Sequence, residues 1–455
     1  MYQFAFTTVD DPNLALALKI LPALIVVLVA SAVCGRLAIA VKQPRVLGEM
    51  VAGVLLGPTF LGMLLPDIQQ RLFPAEVKSF LYVLSTIGLT LYMFLVGVGM
   101  EHGERGEAKK TGRQATVLAM SGVLPALVLG AGAGVLWYDE LSRGDISRAE
   151  FAFFVGSALS ITAFPMLARI LYERGLQHSR LGKLSLVAAS MDDAAAWCLL
   201  AVLSAVHAGT GLTGALRTIV LVAIFAALML LVVARLLRPL GATVARTGRL
   251  APGQMYLVAV IVLTAGWFTD FIGVYSVFGG FIAGLAMPRN AAFREALHGR
   301  MMDFVCVFLL PVFFAFSGLN TKLGGVTDGT MLLALGTLLA AGFAGKYVGC
   351  GLTMRAVGYS WRESWAVGGL MNARGLMILI FINIGLAQKM ITQELFSMLV
   401  LVAVITTAGA VPLFRWALPP RHEARLLPPV PVGAGMDTTG PAPRDAADVP
   451  AETRR

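Results

Sequence analysis

Charged residues are scarce in this chain of 455 residues. Asp, Glu, Lys and Arg make up 14% of it, whereas they make up about a quarter of ordinary soluble domains. Hydrophobic residues make up 57% of the chain, and the mean hydropathy is +0.79. This composition excludes a soluble globular protein. Apolar runs of about 20 residues, the length needed to cross a hydrocarbon core of about 30 Å, predict an all-α polytopic protein of the lipid bilayer.

Cysteine is also rare. The four cysteines lie far apart, without CxxC or metal-ligand spacing, which indicates reduced structural thiols. The chain carries no nucleotide-binding fingerprint after its hydrophobic region, and we expect no cofactor. The net charge of +10 comes from basic residues scattered through the loops between apolar runs. It therefore indicates membrane topology and not nucleic-acid binding.

Thirteen apolar segments are predicted to span the membrane. They lie near residues 15–41, 44–66, 78–100, 114–138, 150–174, 180–208, 215–238, 254–270, 272–288, 301–319, 330–357, 363–387 and 393–418. Lys and Arg concentrate in alternate loops, which places the amino terminus outside and the carboxyl terminus in the cytoplasm of a cell-membrane protein. Residues 1–418 are predicted to form one transmembrane domain. Residues 419–455, rich in Pro, Ala, Asp and Arg, are predicted to be a disordered cytoplasmic tail.

Two of these segments resemble each other. Residues 46–58 and residues 277–288 share a Val-x-Gly element and an Ala-Gly pair at the same spacing. The second and ninth segments are seven spans apart, so they cross the membrane in opposite directions. Inverted repeats of this kind are typical of secondary transporters. The alternative is that small residues occur here only because membrane helices pack closely.

The same offset pairs the fifth segment with the twelfth, and both contain polar or helix-breaking residues at mid-depth. These are Ser157, Ser160, Thr162 and Pro165 in the fifth segment, and Asn372, Arg374, Gly375 and Asn383 in the twelfth. Interrupted helices mark the substrate sites of secondary transporters. We predict that both segments are broken helices, with a proline kink far from any ion as the alternative for Pro165.

Three charges lie where a membrane should not tolerate them. Asp192 and Asp193 lie near the centre of the sixth segment, and Lys346 lies within the eleventh. Each charge at the centre of a membrane helix costs about 2.5–3.5 kcal/mol, so pairing and function are the better explanation. Adjacent helical residues point about 100° apart. One aspartate can therefore face Lys346 while the other faces a water-filled cavity, where it binds a proton or a metal ion.

The broken helices offer further ligands. Thr162 and Ser160 have hard oxygen atoms that suit Na+ or K+, while Arg374 can balance the charge at a half-helix end and Asn372 is a polar residue of the same break. Glu49 is also embedded, close to the predicted cytoplasmic end of the second segment. We interpret it either as an accessory transport residue or as a structural carboxylate that reaches the interface.

Five ordered blocks resemble one family. They are residues 44–58, 159–171, 188–197, 313–319 and 371–386, which include LeuSerIleThrAlaPhePro, AlaAlaSerMetAspAsp and MetAsnAlaArgGly. They look like the second family of monovalent cation:proton antiporters. That family includes plant cation/proton exchangers, bacterial potassium efflux systems and electrogenic bacterial sodium/proton antiporters. The resemblance covers most of residues 40–390.

The resemblance implies a fold and a mechanism. It implies a homodimer of 13-span protomers with inverted repeats and two crossed, broken helices. A scaffold of residues 15–100 and 254–319 forms the dimer, and a core of residues 114–208 and 330–418 moves like an elevator.

The resemblance also implies roles for single residues. Asp193 falls on the carboxylate that carries the cation and the proton. Asp192 falls on a position that varies among members, and Lys346 on the lysine that pairs with it in electrogenic members. The chain departs from the family pattern at Ala373, where threonine is usual, and at Ile378, where glutamate is usual, and both departures bear on ion preference.

We therefore expect a secondary active transporter that exchanges K+ or Na+ for H+, with K+ slightly ahead because the blocks resemble plant exchangers most. A cation channel and a non-transporting sensor on the same fold are the alternatives. We do not expect an enzyme. An intramembrane aspartyl protease needs catalytic aspartates on two helices and usually a GlyxGlyAsp element, whereas here the aspartate pair is adjacent and that element is absent. A prenyltransferase needs aspartate-rich motifs that hold Mg2+, and no second such motif is visible.

Overall fold

The computed structural model describes residues 11–100, 105–142, 146–176, 179–207, 211–319, 321 and 328–419, and nearly all of them are helical. Of the predicted disordered tail, residues 419–455, all but residue 419 lies outside this part of the chain. The helices up to the seventh predicted segment are α1 (Pro12–Ala40), α2 (Arg45–Leu56), α3 (Leu61–Leu64), α4 (Pro66–Leu72), α5 (Ala75–Gly99), α6 (Arg105–Leu136), α7 (Tyr138–Leu141), α8 (Arg148–Ser160), α9 (Phe164–Glu173), α10 (Arg180–His207), α11 (Gly211–Ala227) and α12 (Ala234–Leu236).

The remaining helices follow the same order along the chain. They are α13 (Arg238–Thr247), α14 (Pro252–Phe271), α15 (Ser276–Leu285), α16 (Ala291–Phe304), α17 (Leu310–Leu319), α18 (Gly329–Ala356), α19 (Trp361–Leu370), α20 (Gly375–Ala387) and α21 (Gln393–Ala417). Wide π-type turns at Leu228–Val233 and Val305–Leu309 join α11 to α12 and α16 to α17.

Within the described residues, nine helical segments are long and apolar enough to cross a membrane. The four other predicted spans are not among these nine, and each differs from them in length, continuity or charge. The fifth and twelfth are each divided into two helices, the ninth is the ten-residue α15, and the sixth, α10, contains the buried charges. A multi-pass helical membrane protein is therefore confirmed, and the number of thirteen spans stays a prediction.

The inverted repeat has a counterpart in the packing. α2 packs between α1 and α17, and α15 packs between α14 and α5. The glycines of the repeated motif allow the backbones to approach each other. A Cβ atom on Gly48 would lie 2.2 Å from the carbonyl oxygen of Cys34. A Cβ atom on Gly279, the corresponding glycine, would lie 2.3 Å from the carbonyl oxygen of Ala265. The same motif therefore makes the same kind of close helix contact twice.

The other helices repeat a second arrangement. α6 packs against α8 and α10, α18 packs against α19 and α21, and α6 and α18 pack against each other. The chain is interrupted between α8 and α9 and again between α19 and α20. The first break precedes Pro165, which has no N–H to continue the helical bonds. The second ends at Gly375, whose φ is +42°, a conformation that glycine adopts without a steric penalty. Both predicted broken helices are thus present.

Candidate ion-binding site

The two helix breaks cross and are bonded to each other. The N–H of Ala163 donates a hydrogen bond to the carbonyl oxygen of Ala373 over 3.0 Å. The hydroxyl of Thr162 lies 3.2 Å from the carbonyl oxygen of Met371. Backbone groups that an interrupted helix leaves without partners are therefore satisfied by the opposite break, which fixes the position of one half-helix relative to the other.

Beside the crossing, Asp192 and Lys346 form a buried ion pair. The Nζ atom of Lys346 lies 3.2 Å from Oδ2 of Asp192, and both side chains are 0% exposed. Thr162 donates its hydroxyl to the same carboxylate oxygen over 2.6 Å and accepts a hydrogen bond from Lys346. A charge pair out of water needs such additional bonds to offset its desolvation. The fifth, sixth and eleventh predicted spans thus meet at one polar cluster.

Asp193 has a different environment from its neighbour. Its residue is 3% exposed, and its Oδ1 atom accepts a hydrogen bond of 3.4 Å from the N–H of Phe164, the first residue of α9. Its Oδ2 atom has no hydrogen-bond partner among the described residues. The amino end of a helix carries partial positive charge that favours an anion. Asp193 is therefore a carboxylate held by one oxygen, with the other available to a proton or a cation.

Arg374 lies at the crossing but holds backbone carbonyls. It is fully buried, and its guanidinium donates to the carbonyl oxygen of Leu159, near the end of α8, and to that of Gly342 over 2.5 Å. The last carbonyls of a helix have no partner within it, so Arg374 stabilises the interrupted end of α8. A Cβ atom at Gly342 would lie 2.8 Å from the guanidinium, so a larger residue there would displace it.

The other predicted site residues fall in two places. Ser160 and Asn372 are buried at the breaks, where Ser160 donates to the carbonyl of Ser157 and Asn372 to that of Gly368. The Oδ1 atom of Asn372 has no hydrogen-bond partner in the described part of the chain. Glu49 is buried in α2, where an oxygen of its carboxylate lies 3.1 Å from Nε of Arg45. Glu49 is not among the groups bonded to Asp192, Asp193 or Lys346 in the described residues.

Thr407 is a site residue that the sequence analysis missed. Its hydroxyl oxygen accepts hydrogen bonds from the N–H groups of Arg374, over 3.2 Å, and Gly375, over 3.3 Å. These are the amides of the residue that precedes α20 and of its first residue, and the side chain of Arg374 makes no capping hydrogen bond there. The sequence signal was the pair Thr406-Thr407 within the apolar thirteenth segment.

Aromatic side chains border the site. Trp197 of α10 stacks on Tyr275 with ring centroids 6.2 Å apart, and Phe164 contacts Phe281 with centroids 6.3 Å apart. A cavity of about 10 Å³, lined by apolar side chains that include Ile161 and Trp197, lies next to these rings. A space of that size holds at most one water molecule.

Comparisons with known proteins agree with the predicted family. A model of the sodium/hydrogen exchanger family, transmembrane region, matches residues 24–418. The Na+/H+ antiporter NhaS4 of Synechocystis is 38% identical over 397 residues, which are 87% of this chain and 96% of that protein. Cation/H+ antiporter 20 of Arabidopsis thaliana is 35% identical over 381 residues, and the K+/H+ antiporter 1 of Saccharomyces cerevisiae is 29% identical over 396.

The matches differ in how much of each relative they cover. They cover 80% of this chain and 44% of the Arabidopsis protein, and 84% of this chain and 43% of the yeast protein. The chain thus spans less than half the length of these two relatives. Among solved structures, the sodium proton antiporter MjNhaP1 of Methanocaldococcus jannaschii superposes with a TM-score of 0.63 at 14% identity, over 92% of this chain and 98% of that chain. At this identity the superposition establishes the fold alone. The matched residues and the fold together show that this multi-pass membrane protein belongs to the sodium/hydrogen exchanger family.

Proposed function

We propose that this protein is a secondary active transporter that exchanges K+ or Na+ for H+, with Asp193 as the carboxylate that binds both. The observation that carries the proposal is the free oxygen of Asp193, which is buried without a hydrogen-bond partner among the described residues. A buried charge without compensation is costly, and either a proton or a cation removes that cost. The names of the Synechocystis and yeast relatives, one a Na+/H+ and one a K+/H+ antiporter, support the choice of ions.

The two ions exclude each other at this carboxylate. The amino end of α9 stabilises the negative charge of Asp193, while burial disfavours a charge that has no counterion. A bound proton neutralises the carboxylate, and a cation that has shed its water takes the place of the proton. Ser160 and Asn372, at the same breaks, are the proposed oxygen ligands. Thr162 completes the site, where it orders the neighbouring ion pair.

The Asp192–Lys346 pair has a separate role in this proposal. Lys346 compensates the charge of Asp192 at 3.2 Å, and Thr162 bonds to both groups. Asp192 therefore stays charged and paired while Asp193 changes its state. This division leaves Asp193 as the one carboxylate that exchanges ions. Coupling at a single site requires such a shared carboxylate, because the cation can then bind only after the proton has left.

We further propose that the site is exposed alternately to the two sides by an elevator motion. The mobile core consists of residues 114–208 and 330–418, and the scaffold consists of residues 15–100 and 254–319. The packing of α6 and α18 with the broken helices supports this division. Two scaffolds form the homodimer, and the amino terminus lies outside the cell. The contact between Trp197 and Tyr275 then lies on the boundary between core and scaffold.

Proton flux in inside-out vesicles from cells without their own antiporters tests the function. K+, Na+ or Li+ is added to a preformed pH gradient, with the wild type, Asp193→Asn and Asp328→Asn. Asp328 is a matched control because it is an exposed aspartate that caps α18 through the N–H of Gly329. We expect rapid dissipation that depends on the cation, that is lost in Asp193→Asn and that is retained in Asp328→Asn.

Other outcomes select the alternatives. Cation flux that does not move protons and collapses the membrane potential would identify a channel. Folded protein that moves no cation and no proton would contradict exchange and favour a sensor. Exchange that persists in Asp193→Asn would refute the assignment of the carboxylate while leaving the transporter intact.

A further inference from the structure

The two half-helices that begin at the crossing have different caps. α9 begins at Phe164, whose N–H donates to the carboxylate of Asp193. α20 begins at Gly375, and the N–H groups of Gly375 and of the residue before it, Arg374, donate to the hydroxyl of Thr407 in α21. The first amides of any helix lack partners within it. At the start of each half-helix, a side chain from the next helix therefore accepts a hydrogen bond from the backbone. The acceptor is a carboxylate for α9 and a hydroxyl for α20.

Asp193 and Thr407 have corresponding places in the inverted repeat. α10 follows the broken helix α8–α9 and packs against it, and α21 follows the broken helix α19–α20 and packs against it in the same way. The two caps differ in charge, because an aspartate can gain or lose a proton and a threonine cannot at any physiological pH. The two halves of the repeat therefore share their helix arrangement but differ in whether the capping side chain can carry a charge.

We propose that Thr407 is the permanent counterpart of Asp193, a positioning residue that holds the amino end of α20 in place throughout transport. This inference rests on the proposed function of Asp193. A hydroxyl cap takes up no proton and carries no charge that a cation would neutralise, so the exchange of a proton for a cation is confined to the cap of α9. A charged cap on both half-helices would give the site a second carboxylate and a second place for a proton.

Thr407 is connected to the site through consecutive hydrogen bonds. It fixes the amides of Arg374 and Gly375, and the preceding residue, Ala373, accepts the hydrogen bond from Ala163. Ala163 directly precedes Phe164, whose N–H holds Asp193. If the hydroxyl is lost, the crossing can shift, and the peptide that binds Asp193 shifts with it. Cation affinity is the property that such a displacement changes.

The test compares Thr407→Val, Thr407→Ser and Thr406→Val in the vesicle assay. Valine keeps the branched shape and removes the acceptor, whereas serine keeps the acceptor. Thr406 is the matched control, because it is a buried neighbour whose hydroxyl bonds, among the described residues, to the carbonyls of Val402 and Ala403 within α21. We expect Thr407→Val to raise the apparent KM for the cation by about fivefold or more, Thr407→Ser to restore it, and Thr406→Val to leave it unchanged.

A reduced amount of folded protein would lower the maximal rate without changing KM, so KM separates positioning from mere stability. Amide hydrogen exchange of the purified protein provides a second measurement that requires no transport. We expect faster exchange at Arg374 and Gly375 in Thr407→Val than in the wild type or in Thr406→Val. An unchanged KM in Thr407→Val, or a failure of Thr407→Ser to restore it, would overturn the proposal. If the wild type moves no ions, the proposed function fails; faster amide exchange in Thr407→Val would still support the cap, and unchanged exchange would overturn it.

Discussion

The buried pair of Lys346 and Asp192 gives a quantitative prediction, because the chain contains an exposed pair of almost the same length. The N–O distance is 3.2 Å in the buried pair, whose side chains are 0% exposed. It is 3.1 Å between Lys19 and Glu76, whose side chains are 26% and 58% exposed. Lys346→Met and Lys19→Met therefore remove the same charged group from ion pairs of similar length that differ in burial.

The expected magnitudes follow from the position of the carboxylate that remains. Removing one partner of a buried pair leaves a charge without compensation and lowers the free energy of unfolding by about 3–5 kcal/mol. Removing one partner of an exposed pair lowers it by about 0–1 kcal/mol, because water replaces the lost contact. In Lys346→Met, the hydroxyl of Thr162 remains as a donor to Asp192, so we expect the lower part of the first range.

Unfolding of the purified protein in mixed micelles, followed by tryptophan fluorescence, measures both changes. The double variant Lys346→Met/Asp192→Asn removes both charges, and we expect it to recover most of the stability lost in Lys346→Met. Equal destabilisation by Lys346→Met and Lys19→Met would refute the reasoning, as would a double variant no more stable than Lys346→Met alone.

Three further substitutions test other contacts. We expect Arg374→Met to lower the free energy of unfolding by about 1–3 kcal/mol, because the carbonyl of Leu159 at the interrupted end of α8 loses its donor, whereas the carbonyl of Gly342 keeps its helical donor within α18. Unfolding in the same micelles measures this change, and a wild-type midpoint would contradict it. We expect Gly279→Ala to abolish the monodisperse peak in size-exclusion chromatography, because the added Cβ atom would lie 2.3 Å from a backbone oxygen. Gly132→Ala should keep that peak, because no atom lies within 4 Å of the added Cβ atom. Equal peaks from the two variants would show that the close approach at Gly279 is dispensable. Ile378→Glu introduces a carboxylate into the hydrophobic core, so we expect a loss of folded yield that Ile378→Leu does not show. An equal yield of the two variants would contradict this expectation.

The features that the sequence predicted well are those with a large energetic cost. A charge at the centre of a membrane helix demands compensation in any fold, which is why Asp192, Asp193 and Lys346 stood out in the sequence. The interruptions near Pro165 and Gly375 follow from the backbone chemistry of these two residues. The partner of Glu49 could also be predicted from the sequence, because Arg45 lies one helical turn before it.

Other features depend on the third dimension. The carbonyls that Arg374 binds belong to α8 and α18, and no local spacing identifies them. Thr407 was missed because a threonine in a membrane helix usually bonds to its own preceding turn, as Thr406 does. The number of spans is equally hard to derive, since α15 is short and two predicted spans are divided.

The hydrogen bond from Ala163 to Ala373 has a thermodynamic consequence. Because it ties the two breaks together, the oxygen atoms around Asp193 would keep their arrangement in the proposed elevator motion of the core. The cation then has nearly the same dissociation constant on either side of the membrane. In the proposed exchange, equal affinity on the two sides lets the cation load and unload as readily in either direction, and the electrochemical gradients of the two ions decide the direction of net transport.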